Sequence, residues 1–257
     1  MTTRIDAVLA ATIAFNSLAQ PCAAEVIEER RSWSETYEVT TSNPQLSISN
    51  IWGGIQVKKG DGQQIRVSID ELRSAPSQAR FDKSLKVLKL ETTADGESVS
   101  FVVEVPANTS LSLSTVNDGH IQVQDVVGTV SARNVNGSVM LNGVATCEEI
   151  NSVNGPVRVQ FSNAPISACD IETINGDVTL KFPAVANLDL AFDLFNGRLT
   201  SDVEVTPVSL PARVEQRGNV GSFKYRIEQP AGVRIGSGGP RFSVKSMNGD
   251  IRILENQ

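Results

Sequence analysis

Apolar side chains recur at every second residue on both sides of a series of tight turns. In the copy around Asn175, side chains suited to burial stand at alternate positions over 169–173 and again at Val178 and Leu180. Alternation with a period of two is typical of β-strands that bury one face. The pattern therefore predicts two short strands per copy, one before and one after the turn.

Asn-Gly pairs mark these turns at regular spacing. Five pairs define the repeat: Asn136-Gly137, Asn154-Gly155, Asn175-Gly176, Asn196-Gly197 and Asn248-Gly249. Steps of 18, 21 and 21 residues separate the first four. Trp52-Gly53 stands at the same place in an earlier copy, and Asn117-Asp118-Gly119 is a version one residue longer.

A period of about 20 residues with one pattern in every copy favours stacked coils over a meander of hairpins. Equivalent strands of neighbouring coils would pair in parallel, and the asparagines at 136, 154, 175 and 196 could form a ladder of side-chain amides. Because Gly accepts positive φ, we expect it at the turn glycines 137, 155, 176 and 249. The predicted fold is all-β, a short parallel β-solenoid of about 18–21-residue coils. Its predicted inward side chains are Val130, Ile171, Val178, Leu180, Val244 and Ile251.

Two segments that break the period are predicted to be hairpin insertions, near 61–105 and 204–239. The first contains two strand-like runs around Asp95-Gly96, a combination that favours a hairpin. The second contains Pro207, Pro211 and Pro230, and its glycine-rich end at 236–240 is interpreted as a turn into the last coil.

The first 24 residues predict a secretory signal peptide. Arg4 precedes an apolar run at 7–15, and Cys22 and Ala24 place small residues at the −3 and −1 positions before Glu25. The run is too short to span a bilayer, and the alternative is a buried N-terminal helix. Cleavage would leave residues 25–257 as a single domain, secreted or periplasmic, without a transmembrane span.

Composition restricts the chemistry available to the chain. The 257 residues include 23 Lys and Arg against 29 Asp and Glu, one His, and 5% aromatics, and the formal net charge is −6. An acidic chain without basic blocks is poorly suited to nucleic acid. A single histidine cannot build a His-rich metal site. We therefore predict no cofactor and no nucleic-acid partner.

Carboxylates supply the main candidate enzyme chemistry. One group is Asp189, Asp193 and Asp202, and the other is Glu148, Glu149, Asp170 and Glu172 in neighbouring coils. A polysaccharide-degrading enzyme needs acids that converge on one strand face, and the second group could bind a divalent cation through oxygen ligands. The alternative is ordinary solvated side chains on strands. His120 stands beside Asp118 and has no Ser or Cys partner evident in the sequence.

Cys147 and Cys169 would remain after cleavage, 22 residues apart. One coil of separation brings two Cα atoms within disulfide reach. Cys169 lies six residues before its Asn and Cys147 seven, so the side chains would face opposite ways unless a β-bulge absorbs the difference. A disulfide and two reduced thiols both stay open. Trp52 is either an exposed binding aromatic or a cover for the open end of the stack.

Several phrases of the chain are similar to those of a bacterial protein family. TVNDGHIQV, NVNGSVML, SVNGPVRV, TINGDVTLKFPA and GSGGPRFSVKSMNGDIRIL resemble the bacterial "putative adhesin" β-strand-repeat family of unknown function. The resemblance runs from about Leu46 to the end, and Trp52 departs from it where other copies have Asn. It implies a β-solenoid-like fold and an envelope location, and it implies no catalytic residues.

These observations predict a secreted or periplasmic, non-catalytic β-repeat protein. It would act as a structural or adhesin-like binding scaffold in the bacterial cell envelope, with an envelope glycan or protein as its partner. The alternative is a carbohydrate-active β-solenoid enzyme acting on a polysaccharide.

Overall fold

The structure is a computed structural model that describes residues 31–72, 80–84, 87–91, 98–210, 213–217, 224–228 and 231–256. The predicted signal peptide and the Asp95-Gly96 pair lie outside these residues. The described residues form strands and turns without an α-helix, so they contain no helix that could cross a membrane. The strands make an eleven-stranded sheet, a ten-stranded sheet and one separate antiparallel pair.

The strands are numbered in chain order. They are β1 (Arg31–Glu38), β2 (Gln45–Trp52), β3 (Ile55–Lys59), β4 (Gln64–Leu72), β5 (Arg80–Ser84), β6 (Val87–Glu91), β7 (Ser100–Val105), β8 (Ser110–Asn117), β9 (Ile121–Gln124), β10 (Thr129–Asn136), β11 (Val139–Val144), β12 (Thr146–Asn154), β13 (Val157–Phe161), β14 (Cys169–Asn175), β15 (Val178–Phe182), β16 (Leu188–Asn196), β17 (Leu199–Ser201), β18 (Val205–Ser209), β19 (Arg213–Arg217), β20 (Lys224–Glu228), β21 (Ala231–Ile235), β22 (Arg241–Asn248) and β23 (Ile251–Glu255).

Each copy of the repeat contributes one strand to each sheet. The strand before the turn joins the eleven-stranded sheet, and the strand after the turn joins the ten-stranded sheet. The order of strands in the eleven-stranded sheet is β18-β21-β16-β22-β14-β12-β10-β8-β2-β6-β5. The order in the ten-stranded sheet is β1-β4-β7-β3-β9-β11-β13-β15-β23-β17. Equivalent strands of neighbouring copies pair in parallel: Ile171 lies opposite Val244, and Val178 lies opposite Ile251. The prediction of an all-β fold is therefore confirmed.

The copies do not stack in the order of the chain. The last copy, β22 and β23, lies between β14–β15 and β16–β17, so the C-terminal strands are inserted inside the stack. At the other end β6 and β7 form a further unit outside β2 and β3.

The hairpin predicted around Asp95-Gly96 is wrong. β6 pairs with β2 and β5 in one sheet, whereas β7 pairs with β3 and β4 in the other. A period-two pattern fits a hairpin and a stacked unit equally well, because both bury one face of each strand. Among the strands that the structure describes, consecutive antiparallel pairs join β5 to β6 and β19 to β20.

The inward side chains of both sheets pack into one core. All six predicted inward residues are fully buried, as the alternation predicted. Phe161, Phe182 and Phe242 form an aromatic cluster within this core: the first two rings stack with centroids 5.1 Å apart, and Phe242 meets both edge-on. Such contacts add to the stabilisation that burial of the rings provides.

A column of short polar side chains is buried beside the turns, two residues before the position of the repeated Asn. Its members are Asn50, Thr115, Asn134, Ser152, Thr173 and Ser246. Several of them donate to a turn carbonyl: Thr115 Oγ1 to Gly53 O at 2.9 Å, and Asn134 Nδ2 to Gly119 O at 2.8 Å. These bonds supply partners for carbonyl groups that burial would otherwise leave unpaired.

The asparagines of the turns form a continuous ladder along one edge of the stack. From Asn136 onward, each Nδ2 donates to the Oδ1 of the preceding asparagine in the spatial order, at 2.8–3.4 Å. In space the ladder runs Asn117, Asn136, Asn154, Asn175, Asn248, Asn196. Asn117 keeps its place despite the extra residue because Asp118 takes up the difference at φ 49°.

Glycine is required in these turns mainly because the backbone of the neighbouring turn lies too close to leave room for a Cβ atom, and less because of the φ angle. A Cβ added at Gly176 would lie 2.1 Å from the carbonyl oxygen of Gly155, although Gly176 is not among the glycines with positive φ. The prediction of positive φ at Gly176 is therefore wrong. Oxygens of neighbouring turns likewise fill the Cβ positions of the glycines at 119, 137, 155, 197 and 249, at 2.0–2.1 Å.

In the structure a disulfide joins Cys147 to Cys169, whose Cα atoms are 5.4 Å apart. The register of β10 against β12 shifts after Val130, so that β12 carries one extra residue at Glu148–Glu149. This bulge absorbs the one-residue difference between the two copies. Both cysteines consequently point into the core.

The close approach at Gly176 can be tested by Gly176→Ala. We expect a loss of roughly 1–3 kcal/mol of unfolding free energy, because the new methyl group must displace a backbone carbonyl. The control is Gly54→Ala, since Gly54 is not among the glycines with positive φ and the nearest atom to its Cβ position is 3.3 Å away. Urea unfolding of both variants measures the difference. An unchanged Gly176→Ala protein would contradict the steric role.

The disulfide predicts the thiol content of the protein after removal of residues 1–24. Titration under denaturing, non-reducing conditions should find no free thiol, and two free thiols per chain would exclude the bond.

A Cys147→Ala, Cys169→Ala double variant should lose about 3 kcal/mol of unfolding free energy, the value for a closed loop of this size.

Candidate functional site

The outer face of the eleven-stranded sheet presents side chains in straight rows across the strands. Near the turns, beyond the bulge in β12, the parallel strands pair in register and place equivalent residues of neighbouring copies side by side, about 4.8 Å apart. One row consists of the residues directly before the Asn ladder, and a second lies two residues earlier. We call them the apolar row and the charged row.

The apolar row contains Ile51, Val116, Val135, Val153, Ile174, Met247 and Phe195 in spatial order. Ile174 and Met247 lie between the paired positions Thr173–Ser246 and Asn175–Asn248. Because Thr173 and Ser246 point inward, their neighbours point to solvent. Exposure rises along the row, from 38% at Ile174 to 52% at Met247 and 77% at Phe195.

Three adjacent strands thus carry exposed large apolar side chains, which is unusual for a surface that stays in water. Ile174 was assigned no role from the sequence. The available signal was its place in the alternation: a residue that follows an inward position faces outward. An apolar residue there in every copy is not explained by the core.

The charged row has the order Arg133, Asn151, Glu172, Lys245 and Asp193. Glu172 faces Lys245 across β14 and β22, and Asp193 faces Lys245 from β16. The charges therefore alternate in sign over the three strands that carry the exposed apolar residues. Alternation of this kind stabilises neighbouring strands and keeps the local net charge small.

The structure brings together only part of the predicted acidic groups. Asp189 and Asp193 lie on β16, whereas Asp202 follows β17 of the other sheet, so these three carboxylates do not converge. Glu149 lies opposite Asp170 on the outer face, and Glu148 accepts a hydrogen bond from Ser131 at 3.2 Å. Within the described residues, no group of three or more His, Cys, Asp or Glu side chains has the arrangement of a metal site.

Two of these carboxylates are held in the ionised form by arginines. The Arg133 guanidinium hydrogen-bonds Glu149 and holds the pKa of that carboxyl below its usual value, with a second bond from Asn151. Arg234 lowers the pKa of Asp189 through two hydrogen bonds of 2.7 and 2.9 Å. A general acid needs the opposite shift, so neither carboxyl is tuned to act as the general acid of glycoside hydrolysis.

His120 has a partner that the sequence does not reveal. Ser138, in the next copy, places its backbone N–H and its Oγ each 3.0 Å from His120 Nδ1. The Nδ1 lone pair already accepts the backbone N–H, and Ser138 is buried. This geometry fixes the imidazole ring at the turn and leaves it unsuited to activate the serine hydroxyl as a nucleophile.

Trp52 lies at the end of the asparagine ladder, where it pairs with Asn117. It does not cover the open end of the stack, because β2 has β8 on one side and β6 on the other. Its side chain is 37% exposed.

A shallow depression of about 490 Å³ lies on the same outer face, toward β2. Hydroxyl side chains such as Ser47, Ser112 and Ser131 line it, together with Glu148. Its floor is the flat sheet itself, so it lacks the enclosing walls of a small-molecule site.

No family profile and no curated protein matches the chain. Among solved structures, a "putative cell adhesion protein" from Clostridium sporogenes is similar over 89% of this chain and 100% of its own, at 7% identity and a TM-score of 0.44. A "putative adhesin" from Bacteroides fragilis covers 89% and 99%, at 10% identity and a TM-score of 0.41. A "putative lipid binding protein" from Parabacteroides distasonis covers 87% and 96%, at 9% identity and a TM-score of 0.33.

Proposed function

We propose that this chain is an exported, non-catalytic binding protein of the bacterial envelope. The observation that carries the proposal is the exposed part of the apolar row, Ile174, Met247 and Phe195, on three adjacent strands. Contiguous apolar surface on a soluble domain is typical of interaction sites.

The rigid sheet beneath the apolar row and the carboxylates near the row suit binding more than catalysis. The row stands on strands joined by backbone hydrogen bonds, by the asparagine ladder and by the core, so it loses little freedom when a partner docks. The carboxylates nearest to it are ion-paired or face a lysine. The proposal includes the finer features expected from the sequence: a cleaved signal peptide at 1–24, a secreted or periplasmic location, and a solenoid-like stack with an adhesin-like role.

A photo-crosslinking amino acid at position 195 tests the binding surface in the full chain, expressed in its own bacterium. We expect covalent adducts from position 195 and few from position 185, because Val185 is 72% exposed but lies outside the row. Absence of adducts at 195, or the same adducts at both positions, would contradict the proposal.

Shortening one apolar side chain of the row makes the crosslinking test quantitative. Met247→Ser should reduce the yield of the adduct formed at position 195 about tenfold, the effect expected for a hot-spot residue near the centre of an interface. Ile166→Ser is the matched control, since Ile166 is 86% exposed and lies in the loop before β14. Equal yields in the two variants would show that the row does not bind.

A further inference from the structure

We infer that the outer face of the eleven-stranded sheet binds a second copy of this chain, in a two-fold symmetric dimer. The inference rests on the proposed function, because it uses the same apolar row, and it identifies the partner. Its basis is the order of side chains in the two rows.

A two-fold axis parallel to the strands, above the line between β14 and β22, would reverse the strand order in the partner. β14 would then face β22 of the partner subunit, and β22 would face its β14. Residues of each row would meet the same row of the other copy. This is the geometry of an isologous interface, in which each contact occurs twice.

The charged row is self-complementary under this operation. Glu172 would face Lys245 of the partner subunit, and Lys245 would face its Glu172, because these two residues lie opposite each other on the two central strands. Farther out, Asp193 would face the neutral Asn151 of the partner subunit. No pair of like charges is brought together among these residues, which favours this partner and this orientation.

The apolar row meets itself in the same arrangement. Ile174 would pack against Met247 of the partner subunit, and Phe195 would pack against its Val153. The most exposed residue, Phe195, would thus contact a less protruding one. The paired faces cover four strands, about 14 Å between the outermost strand axes. This patch is smaller than a standard stable interface, so a weak, concentration-dependent dimer is expected.

Charge reversal tests the dimer through its symmetry. Glu172→Lys places lysines at both central positions, and Lys245→Glu places glutamates at both, so each variant alone should repel its own copy. In an equimolar mixture, each lysine of one chain would face a glutamate of the other. We expect sedimentation velocity to find each variant monomeric at concentrations where the wild-type chain dimerises, and to find a heterodimer in the mixture.

Lys181→Glu is the control, because it makes the same charge change on the exposed face of the other sheet. It should dimerise like the wild type. Thermal unfolding of every variant checks that the fold is retained, and both altered positions lie on the solvent face of their strands.

The outcomes separate this inference from the proposed function. A wild-type chain that stays monomeric over about a hundredfold range of concentration, or a mixture that forms no heterodimer, would overturn the dimer. Crosslinked adducts at position 195 would then still identify another partner and support a binding role. Adducts of twice the chain mass would support both, and no adduct of any kind would overturn both.

Discussion

A side chain on almost any turn glycine of this protein would occupy the place of a backbone carbonyl. The oxygen of one turn lies 2.0–2.1 Å from where the Cβ of the next would stand, at six successive glycines from Gly119 to Gly197 in spatial order. Because neighbouring turns lie this close, the Gly176 N–H donates a hydrogen bond to the Asn248 carbonyl oxygen at 3.0 Å, and equivalent backbone hydrogen bonds link the other turns. The rest of the stack depends on it, because strands of neighbouring copies can pair in register only if their turns lie equally close.

The same geometry supplies hydrogen-bond donors to carbonyl groups of the turns, although Thr173 Oγ1 and Asn134 Oδ1 are buried without a partner of their own. Short hydroxyl and amide side chains, Thr115 and Asn134 among them, are buried directly beneath the turns and donate to glycine carbonyls. Outside, the asparagine amides bond to one another from copy to copy. A longer or apolar side chain beneath the turn would leave carbonyl oxygens buried without donors, which is costly. In most copies, three positions of the turn therefore contribute to the same close packing, and the exceptions are Leu194 and Trp52.

Regular stacking also determines what the surface can do. Because each copy adds the same outward positions, one residue type per position becomes a row, and the rows form a flat face without a groove. Carboxylates on this face are exposed or paired, as Glu149 is with Arg133, and are not desolvated in a cleft. Such a face is poorly suited to proton transfer and well suited to contact with another flat surface. The alternating charges beside the apolar row give that contact a preferred direction.

The sequence by itself determined which side chains face the core, where the chain turns, and that every copy forms two strands. It could have indicated the apolar row, since Ile174 and Met247 follow inward positions. Tertiary structure alone decided that β22 enters between β14 and β16, that β6 and β7 lie in different sheets, and that Ser138 contacts His120. The physical reason is that alternation specifies the buried face of a strand, whereas its edges, which select the neighbour, carry the same backbone groups in every copy.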